Sequence, residues 1–538
     1  MSKITNKKTV IGDLVEKVRR FNIRLKASKP FWHENSNALD DHRHFAEISA
    51  DSVHLKKPPG GPKGLIGPPC HGTLAAGGKK IKFYTGWKLG IFKLRFVISL
   101  VKYLVRRRKY PLFSIKSLHL YRKKKLLELP KIPKFGKHYY NAILRIPRWP
   151  STAYDRMVAG GGLNLSIPGT PMKQHIDSVI LAVTGKCKYS CQNCYEYNRL
   201  AENDRIPIER WREVIKELQK LGVSVIVLSG GEPMLRFEGL IEILAAVDTT
   251  HSDFHVHTSG YGVTQERAIA LKKCGVRAAA VALDDYNPGR HDRLKGYAGA
   301  HKKAIRAIKY FHEAGIFPYI NLCLRKDLIG SGSLWKYFDY VKDLDPGVGV
   351  ISLLEPKPCG RYIPGNGNGE DLLSEDDRNI VIDFFKKANR DKMYKDYPYV
   401  AYMQYFEKPE RFGCLMGGLS HFYINSSGHV QPCVFLPVSF GSIMEEDFID
   451  IFKKMRGAVP APLHQPCPAL TFFINILKKH AKKTSFGDDA PKERHLTDRE
   501  LVGGATPLWE KIKHKKNQNA EIQLHFEEIR HQWQQMFK

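Results

Sequence analysis

The sequence predicts an α/β fold built on parallel strands. Three observations carry this. Residues 179–183 and residues 223–228 are short uninterrupted apolar runs rich in β-branched side chains, the composition of strands buried on both faces. Between them, Trp211, Val214, Ile215, Leu218 and Leu221 recur at the helical period. The first run leads into a cysteine-bearing loop and the second into Gly230-Gly231-Glu232-Pro233. Strand, loop, helix and strand make one βαβ unit.

Taken in order, the 538 residues suffice for two or three domains. Residues 1–78 form an N-terminal segment that runs into a linker, Pro58-Pro59-Gly60-Gly61-Pro62. Its opening lacks the apolar core of a secretory signal. Residues 79–165 form a basic amphipathic helical region. Within it, residues 79–148 hold 21 Lys/Arg and one acid, Glu128, so most of the chain's net +32 lies ahead of the predicted core. The apolar residues Trp87, Leu89, Ile91, Phe92, Leu94, Phe96, Val97, Ile98, Leu100, Val101, Leu104 and Val105 are interrupted by Lys88, Lys93, Arg95 and Lys102. Arg106-Arg107-Arg108-Lys109 closes the stretch, and Arg122-Lys123-Lys124-Lys125 follows. A basic helix with an apolar face suits the membrane interface, where each basic residue near an anionic leaflet contributes roughly 1 kcal/mol. Two other readings compete: a helix packed on the core with a solvated basic face, and a nucleic-acid surface. No recognisable nucleic-acid module accompanies it, so nucleic acid is not an expected partner.

Residues 166–345 carry the core chemistry. Cys187-x3-Cys191-x2-Cys194 brings three thiols together, enough for three irons of a [4Fe–4S] cluster. A ferredoxin-type run needs a fourth cysteine soon after; Asn198 stands there and the next is Cys274. One iron is left open to bind a ligand. Gly230 and Gly231 allow close backbone approach. These motifs resemble the radical S-adenosylmethionine (SAM) family. The resemblance implies a partial (β/α)6 barrel, with the open iron chelating the amino and carboxylate groups of SAM. It also implies reductive cleavage to methionine and a 5′-deoxyadenosyl radical, which abstracts hydrogen from the substrate. By the same resemblance, Gly230, Gly231, Glu232 and Pro233 approach the SAM amino group. Thr258 and Ser259, in FHVHTSGYG, meet its ribose. Either Arg293 or Lys295 pairs with its carboxylate, Arg293 being favoured for its planar fork. The position before the third cysteine, commonly aromatic in the family, is Asn193, and Tyr195 is the candidate adenine contact. A zinc site is the competing reading of the three cysteines.

Residues 346–475 hold a second cysteine group. Cys414 is followed by thirteen residues, Gly428, four residues, Cys433, and later Cys467. The segment between reads as a hairpin turning on Gly428. This spacing resembles the SPASM/Twitch extension of radical SAM enzymes and implies one auxiliary iron–sulfur cluster. The fourth ligand is open among Cys359, a non-cysteine side chain and substrate; three thiols with His421 also suit zinc. Residues 476–538 read as a polar helical tail.

The expected fold is therefore an α/β partial (β/α)6 barrel with a basic helical N-terminal region and a small Twitch-like hairpin/helix extension. The expected function is hydrogen abstraction from a membrane-associated or lipid-like substrate. The alternatives are a peptide or protein maturase, and a non-enzymatic iron–sulfur or zinc protein. Expected partners are SAM, a low-potential electron donor such as ferredoxin or flavodoxin, and an anionic membrane surface. Cysteine usage points to a reducing cytoplasm, with peripheral contact at the inner membrane face, and Cys70 and Cys274 read as inert. Asp284, Asp285, Glu355 and Tyr362 are candidate substrate-side groups.

Overall fold

The computed structural model describes residues 80–106, 130–141, 145–159, 176–201, 203–362, 372–470, 524–525, 530 and 533–534. The Pro/Gly linker, Arg107–Lys109, Arg122–Lys125 and nearly all of the tail lie outside the described residues.

The N-terminal region is mixed rather than only helical. Strand β1 (Lys82–Tyr84) leads into helix α1 (Gly86–Arg106), then β2 (Ile132–Phe135), β3 (His138–Tyr139) and α2 (Thr152–Ala159). The strands form an antiparallel sheet in the order β1-β2-β3. Each is two to four residues long, too short to leave a period in the sequence. This lobe has its own core: Leu89, Phe92 and Phe96 of α1 pack with Ile132, Tyr139, Ile146, Tyr154 and Met157.

The main sheet follows from the buried apolar runs. Its parallel strands are β4 (Ser178–Thr184), β5 (Val225–Gly230), β6 (Asp253–Thr258), β7 (Val276–Ala282), β8 (Phe317–Cys323), β9 (Val350–Leu354) and β10 (Tyr399–Tyr402). They lie side by side in chain order. Helices alternate with them: α3 (Ile208–Lys220), α4 (Phe237–Ala245), α5 (Gln265–Lys273), α6 (Pro288–Lys295), α7 (Ala300–Glu313), α8 (Lys326–Gly330), α9 (Ser333–Lys342) and α10 (Glu375–Arg390). The first six strands make the expected partial barrel, and α10 with β10 adds one more repeat to its edge. On the other edge, β11 (His421–Ile424) pairs parallel with β4, and β12 (Val430–Gln431) closes the hairpin. The hairpin turns at Gly428, whose φ of 92° suits glycine. After it come β13 (Val438–Ser439) and α11 (Phe448–Ala458).

The two faces of this sheet differ in chemistry. One face, with Leu181, Leu228, Val256, Val281 and Leu322, is fully buried in the main core together with Trp211 and Leu218 of α3. The registers Ala182↔Ser229, Val227↔His255, Ala280↔Tyr319, Ala282↔Asn321 and Asn321↔Ser352 put a smaller, more polar set on the concave face. Small side chains there leave room inside the curve.

The N-terminal lobe closes the end of the sheet where the strands begin. Tyr140 stacks on Phe317, the first residue of β8, at 3.8 Å between centroids. Arg148 pairs with Asp253, the first residue of β6. The Lys131 ammonium is buried and donates to the carbonyls of Ala388, Tyr394, Tyr397 and Pro398. That end of the barrel is thus stoppered; in parallel α/β sheets ligands bind at the other, the carboxyl edge of the strands. Cys274 is buried and disulfide-bonded rather than a spare thiol.

Candidate active site

The open end is the carboxyl edge of the parallel strands, where α/β sheets bind ligands. Each strand delivers one element of the site: the cysteine loop after β4, Gly231-Glu232 after β5, Ser259 after β6, Asp284 after β7 and Cys323 at the end of β8.

The cysteine loop is pinned by backbone bonds. Ser190 N and Gln192 N donate to the carbonyls of Lys295 and Leu294 at 3.1 and 2.9 Å, which are free because α6 ends there. Gly296 follows with φ 59°, and a Cβ on it would lie 2.7 Å from the Ser190 carbonyl oxygen. Lys295-Gly296 is thus the floor on which the loop rests. Burial pushes the Cys187 thiol up to about 12. Cys194 is raised by burial and then by Cys191 and Cys187, so the three thiols share one electrostatic neighbourhood. An iron cluster supplies the positive charge that turns such thiols into thiolates. Cys187, Cys191 and Cys194 fit a [4Fe–4S] cluster in donor type and spacing.

Gly230 and Gly231 bring β5 against that loop. A Cβ on either would meet a backbone carbonyl oxygen at 2.3 Å, of Thr184 and Lys186 respectively. Glu232 then turns its carboxylate toward β6. Oε1 accepts from Thr258 Oγ1 at 2.7 Å and Met234 N at 3.1 Å; Oε2 accepts from Ser259 N at 2.8 Å and Ser259 Oγ at 2.5 Å. Burial pushes this carboxyl's pKa up, and the four donors oppose that. Both hydroxyls give their proton to Glu232, so toward a ribose they have only acceptor capacity to offer. Pro233 opens the short turn Pro233–Arg236 that Glu232 caps.

Lys295 and Arg293, adjacent candidates for the SAM carboxylate, separate in the structure. Arg293 is exposed. Lys295 is buried, and its Nζ lies 2.6 Å from Asp284 Oδ2. Two residues on a helix are about 200° apart, which puts one out and one in. Asp284 also accepts from Asn193 Nδ2 and Cys323 N. Asn193 thus ties the cysteine loop to β7 instead of presenting an aromatic face. Tyr195 points the other way, its hydroxyl 3.1 Å from Ser229 Oγ on the concave face. Among the remaining candidates, Asp285 is held by Arg290 and Arg325, and Glu355 by Lys357 and Arg378. Tyr362 is buried in the turn after β9.

The auxiliary cysteines lie within electrostatic reach of one another, but among the described residues no three His, Cys, Asp or Glu side chains stand close enough to hold a metal ion. Cys414 is raised by burial, then by Glu407, Cys467 and Cys433. Reciprocal bonds of 2.9 Å between Cys414 and Leu463 fix the first thiol near the segment bearing Cys467. Cys414, Cys433 and Cys467 have the donor type of a second iron–sulfur group. Cys359 is buried, which pushes its thiol pKa up against the opposing charge of Arg199; Cys433 adds a smaller rise. The next residues touch the first cluster loop: Arg361 N donates to the Cys194 carbonyl at 3.0 Å. The turn at Cys359 therefore touches the Cys194 backbone. His421, a candidate zinc ligand, is instead turned to Arg145, whose Nη1 lies 2.9 Å from its Nδ1 and 2.8 Å from Glu407.

Sequence reasoning missed a polar cluster on the concave wall. The Tyr319 hydroxyl lies 2.8 Å from His257 Nε2 and 3.3 Å from His255 Nδ1. Ala280 lies between them on β7, and its methyl is short enough to let them meet. Burial pulls both imidazoles down to about 3, so they are neutral. The signal was present as His-Val-His, two histidines on one side of a strand.

Comparison with known proteins agrees with this geometry. The radical SAM superfamily profile matches residues 181–326, and that of the SPASM iron–sulfur cluster-binding domain matches residues 414–461. The AdoMet-dependent heme synthase of Nitratidesulfovibrio vulgaris is 25% identical over 294 residues, 51% of this chain and 77% of that protein. PqqA peptide cyclase of Gluconobacter oxydans is 24% identical over 318 residues, 56% of this chain and 83% of that protein. The crystal structure of Streptococcus suis SuiB bound to precursor peptide SuiA is 16% identical, covering 52% of this chain and 65% of that chain with a TM-score of 0.43. The chain thus carries a radical SAM enzyme domain over residues 181–326, with SAM and a [4Fe–4S] cluster as its cofactors, and a SPASM-type domain over residues 414–461 for auxiliary iron–sulfur binding.

Proposed function

We propose that the enzyme abstracts hydrogen from a peptide or protein substrate. The observation that carries this is the concave wall. Ser229, His255, His257, Tyr319, Asn321 and Ser352 share it, and hydrogen-bonding groups of this density suit amide and polar side-chain partners. Asn321 and Ser352, half-buried on this wall, can exchange hydrogen bonds with a substrate amide, which a lipid chain cannot offer. The lipid-like substrate expected from the basic segment is therefore not the reading this wall favours. Relatives named PqqA peptide cyclase and sporulation killing factor maturation protein support the peptide reading. Relatives named heme synthase support a second one, a carboxylate-bearing tetrapyrrole.

When bound, the cluster that Cys187, Cys191 and Cys194 would hold would supply SAM with an electron drawn from a low-potential donor such as ferredoxin or flavodoxin. The protein's part is placement. Cys187, Cys191 and Cys194 hold the first cluster. Gly230 and Gly231 let the turn after β5 close on the cysteine loop, and Glu232 fixes the turn whose Thr258 and Ser259 oxygens would accept from the ribose. Lys295, rather than Arg293, is the cation facing the SAM carboxylate. Tyr195, on the concave wall, meets the adenosyl end. Cys414, Cys433 and Cys467 would hold the auxiliary cluster, with Cys359 a candidate for its fourth ligand.

The test is 5′-deoxyadenosine formation by anaerobically reconstituted protein with SAM and dithionite. Short peptides encoded beside the gene are expected to accelerate it and to emerge with an altered mass. Acceleration by iron coproporphyrin, with none by the peptides, would replace the peptide reading with the tetrapyrrole one.

A further inference from the structure

Helix α1 presents an uncovered apolar stripe. Its inner side is fixed: Leu89, Phe92 and Phe96 are buried in the lobe's own core, with Phe92 4.5 Å from Tyr139 and Phe96 5.5 Å from Trp149 between ring centroids. This anchoring leaves no freedom to rotate the helix. Its outer side therefore shows Trp87, Ile91, Leu94 and Ile98, which are 72%, 43%, 61% and 44% exposed. Their spacing of four, three and four residues draws one line along the helix. They are half of the eight large hydrophobic side chains that are exposed among the described residues. A helix in a soluble setting turns this stripe inward; here a different apolar set already occupies the inside.

We infer that this face of α1 docks on an anionic lipid bilayer, lying in the headgroup layer. Charge selects this occupant over another apolar surface. Lys88 and Arg95, seven residues apart and both exposed, flank the stripe on one side, and α1 carries no acid. The surrounding residues 79–148 hold 21 basic residues and a single acid. A second copy of the chain would bring the same positive charge to the contact and repel it, whereas anionic headgroups neutralise it. No described helix is long and apolar enough to cross a membrane, so the contact is an in-plane one. The Trp87 indole at the start of the stripe suits the boundary between headgroups and chains. The inference is independent of the substrate reading, because α1 belongs to a lobe packed at the closed end of the barrel.

The experiment is flotation of the full-length holoenzyme with two kinds of vesicle. One is pure phosphatidylcholine; the other is equal parts phosphatidylglycerol and phosphatidylcholine. The protein is expected to float with the anionic vesicles at least tenfold more than with the neutral ones, and high salt is expected to weaken this by screening. The double variant W87S/L94S should bind tenfold less, and K88Q/R95Q should lose most of the preference for anionic lipid. Neither pair packs in the core, so both variants should keep the wild-type melting temperature and SAM cleavage. Wild-type protein that stays down with both vesicles overturns the inference. So does W87S/L94S protein that floats as well as wild type. If sedimentation instead shows a dimer that W87S/L94S splits, without vesicle binding, the stripe is a subunit contact and the membrane assignment falls. None of these results alters 5′-deoxyadenosine formation with peptides, so this inference and the substrate reading fail separately.

Discussion

Lys295 Nζ lies 2.6 Å from Asp284 Oδ2, and both side chains are 5% exposed or less. The pair joins the floor of the cysteine loop to the end of β7. Burial alone would raise the Asp284 carboxyl; the neighbouring ammonium wins and holds it down at about 2. Asp284 raises Lys295 in turn. Removing one partner leaves a buried charge uncompensated, at roughly 3–5 kcal/mol. Lys295→Met is therefore expected to lower stability by about that much and to abolish SAM cleavage. Adding Asp284→Asn should recover part of the stability and none of the cleavage. Urea unfolding of the three variants checks this.

The same pair sets an acid limit. The folded pKa of Asp284 is depressed below its unfolded value of about 3.9. Its stabilisation is complete above that value and is lost as pH falls toward 2. In Asp284→Asn this component of acid unfolding should be missing. An unchanged acid limb in the variant would show that other carboxylates govern it.

Glu232 is expected to be intolerant of amidation. Glu232→Gln replaces one acceptor oxygen with a donor, which then faces either Thr258 and Met234 or Ser259. An unpaired buried donor costs about 1–3 kcal/mol, so SAM binding should weaken roughly 10-fold or more. Equilibrium binding of SAM to the reconstituted protein measures this directly. Equal affinity in the variant would mean that the turn at Thr258 and Ser259 does not depend on the carboxylate.

Iron content separates the two cysteine groups. The wild-type chain should hold about eight irons as two four-iron clusters. Replacing Cys187, Cys191 and Cys194 with Ala should leave about four and end SAM cleavage. Replacing Cys414, Cys433 and Cys467 should leave the other four with cleavage in the absence of substrate retained. Cys359→Ser tests the fourth auxiliary position. A changed electron paramagnetic resonance signal from the auxiliary cluster alone would identify Cys359 as its ligand. Stoichiometric zinc in the first triple variant would assign the second group to zinc.

The sequence carried the strands and cysteines well because each leaves a local signature. Buried parallel strands read as apolar runs, and thiol spacing survives without any knowledge of the fold. What it missed depends on pairing across distance. Arg293 and Lys295 are near neighbours in the chain, and only the docking of the cysteine loop on the end of α6 decides which is buried. Glu232 looked like a ligand contact, whereas its four donors come from residues up to 27 positions away. The N-terminal sheet strands are too short for periodicity to register, so a mixed lobe read as helix. The triad of His255, His257 and Tyr319 spans two strands on either side of β7, and no single segment announces it.

That triad gives the remaining prediction. Both imidazoles are held neutral by burial, with pKa values near 3, below the unfolded value of about 6.5. As pH falls below that unfolded value, the unfolded chain takes up two protons that the folded chain refuses. Stability should fall by about 1.4 kcal/mol per pH unit for each ring, or about 2.7 for the two together. His257→Gln keeps a hydrogen-bonding partner for the Tyr319 hydroxyl and removes one titrating ring. Its slope between pH 6 and pH 4 should be shallower by about 1.4 kcal/mol per pH unit. Tyr319→Phe should behave differently: both rings still titrate, so the slope stays while stability drops by about 1–3 kcal/mol at every pH. Urea unfolding at several pH values, with all proteins in the same cluster-loaded state, distinguishes them. A slope unchanged in His257→Gln would place that imidazole in contact with solvent and remove it from the closed wall.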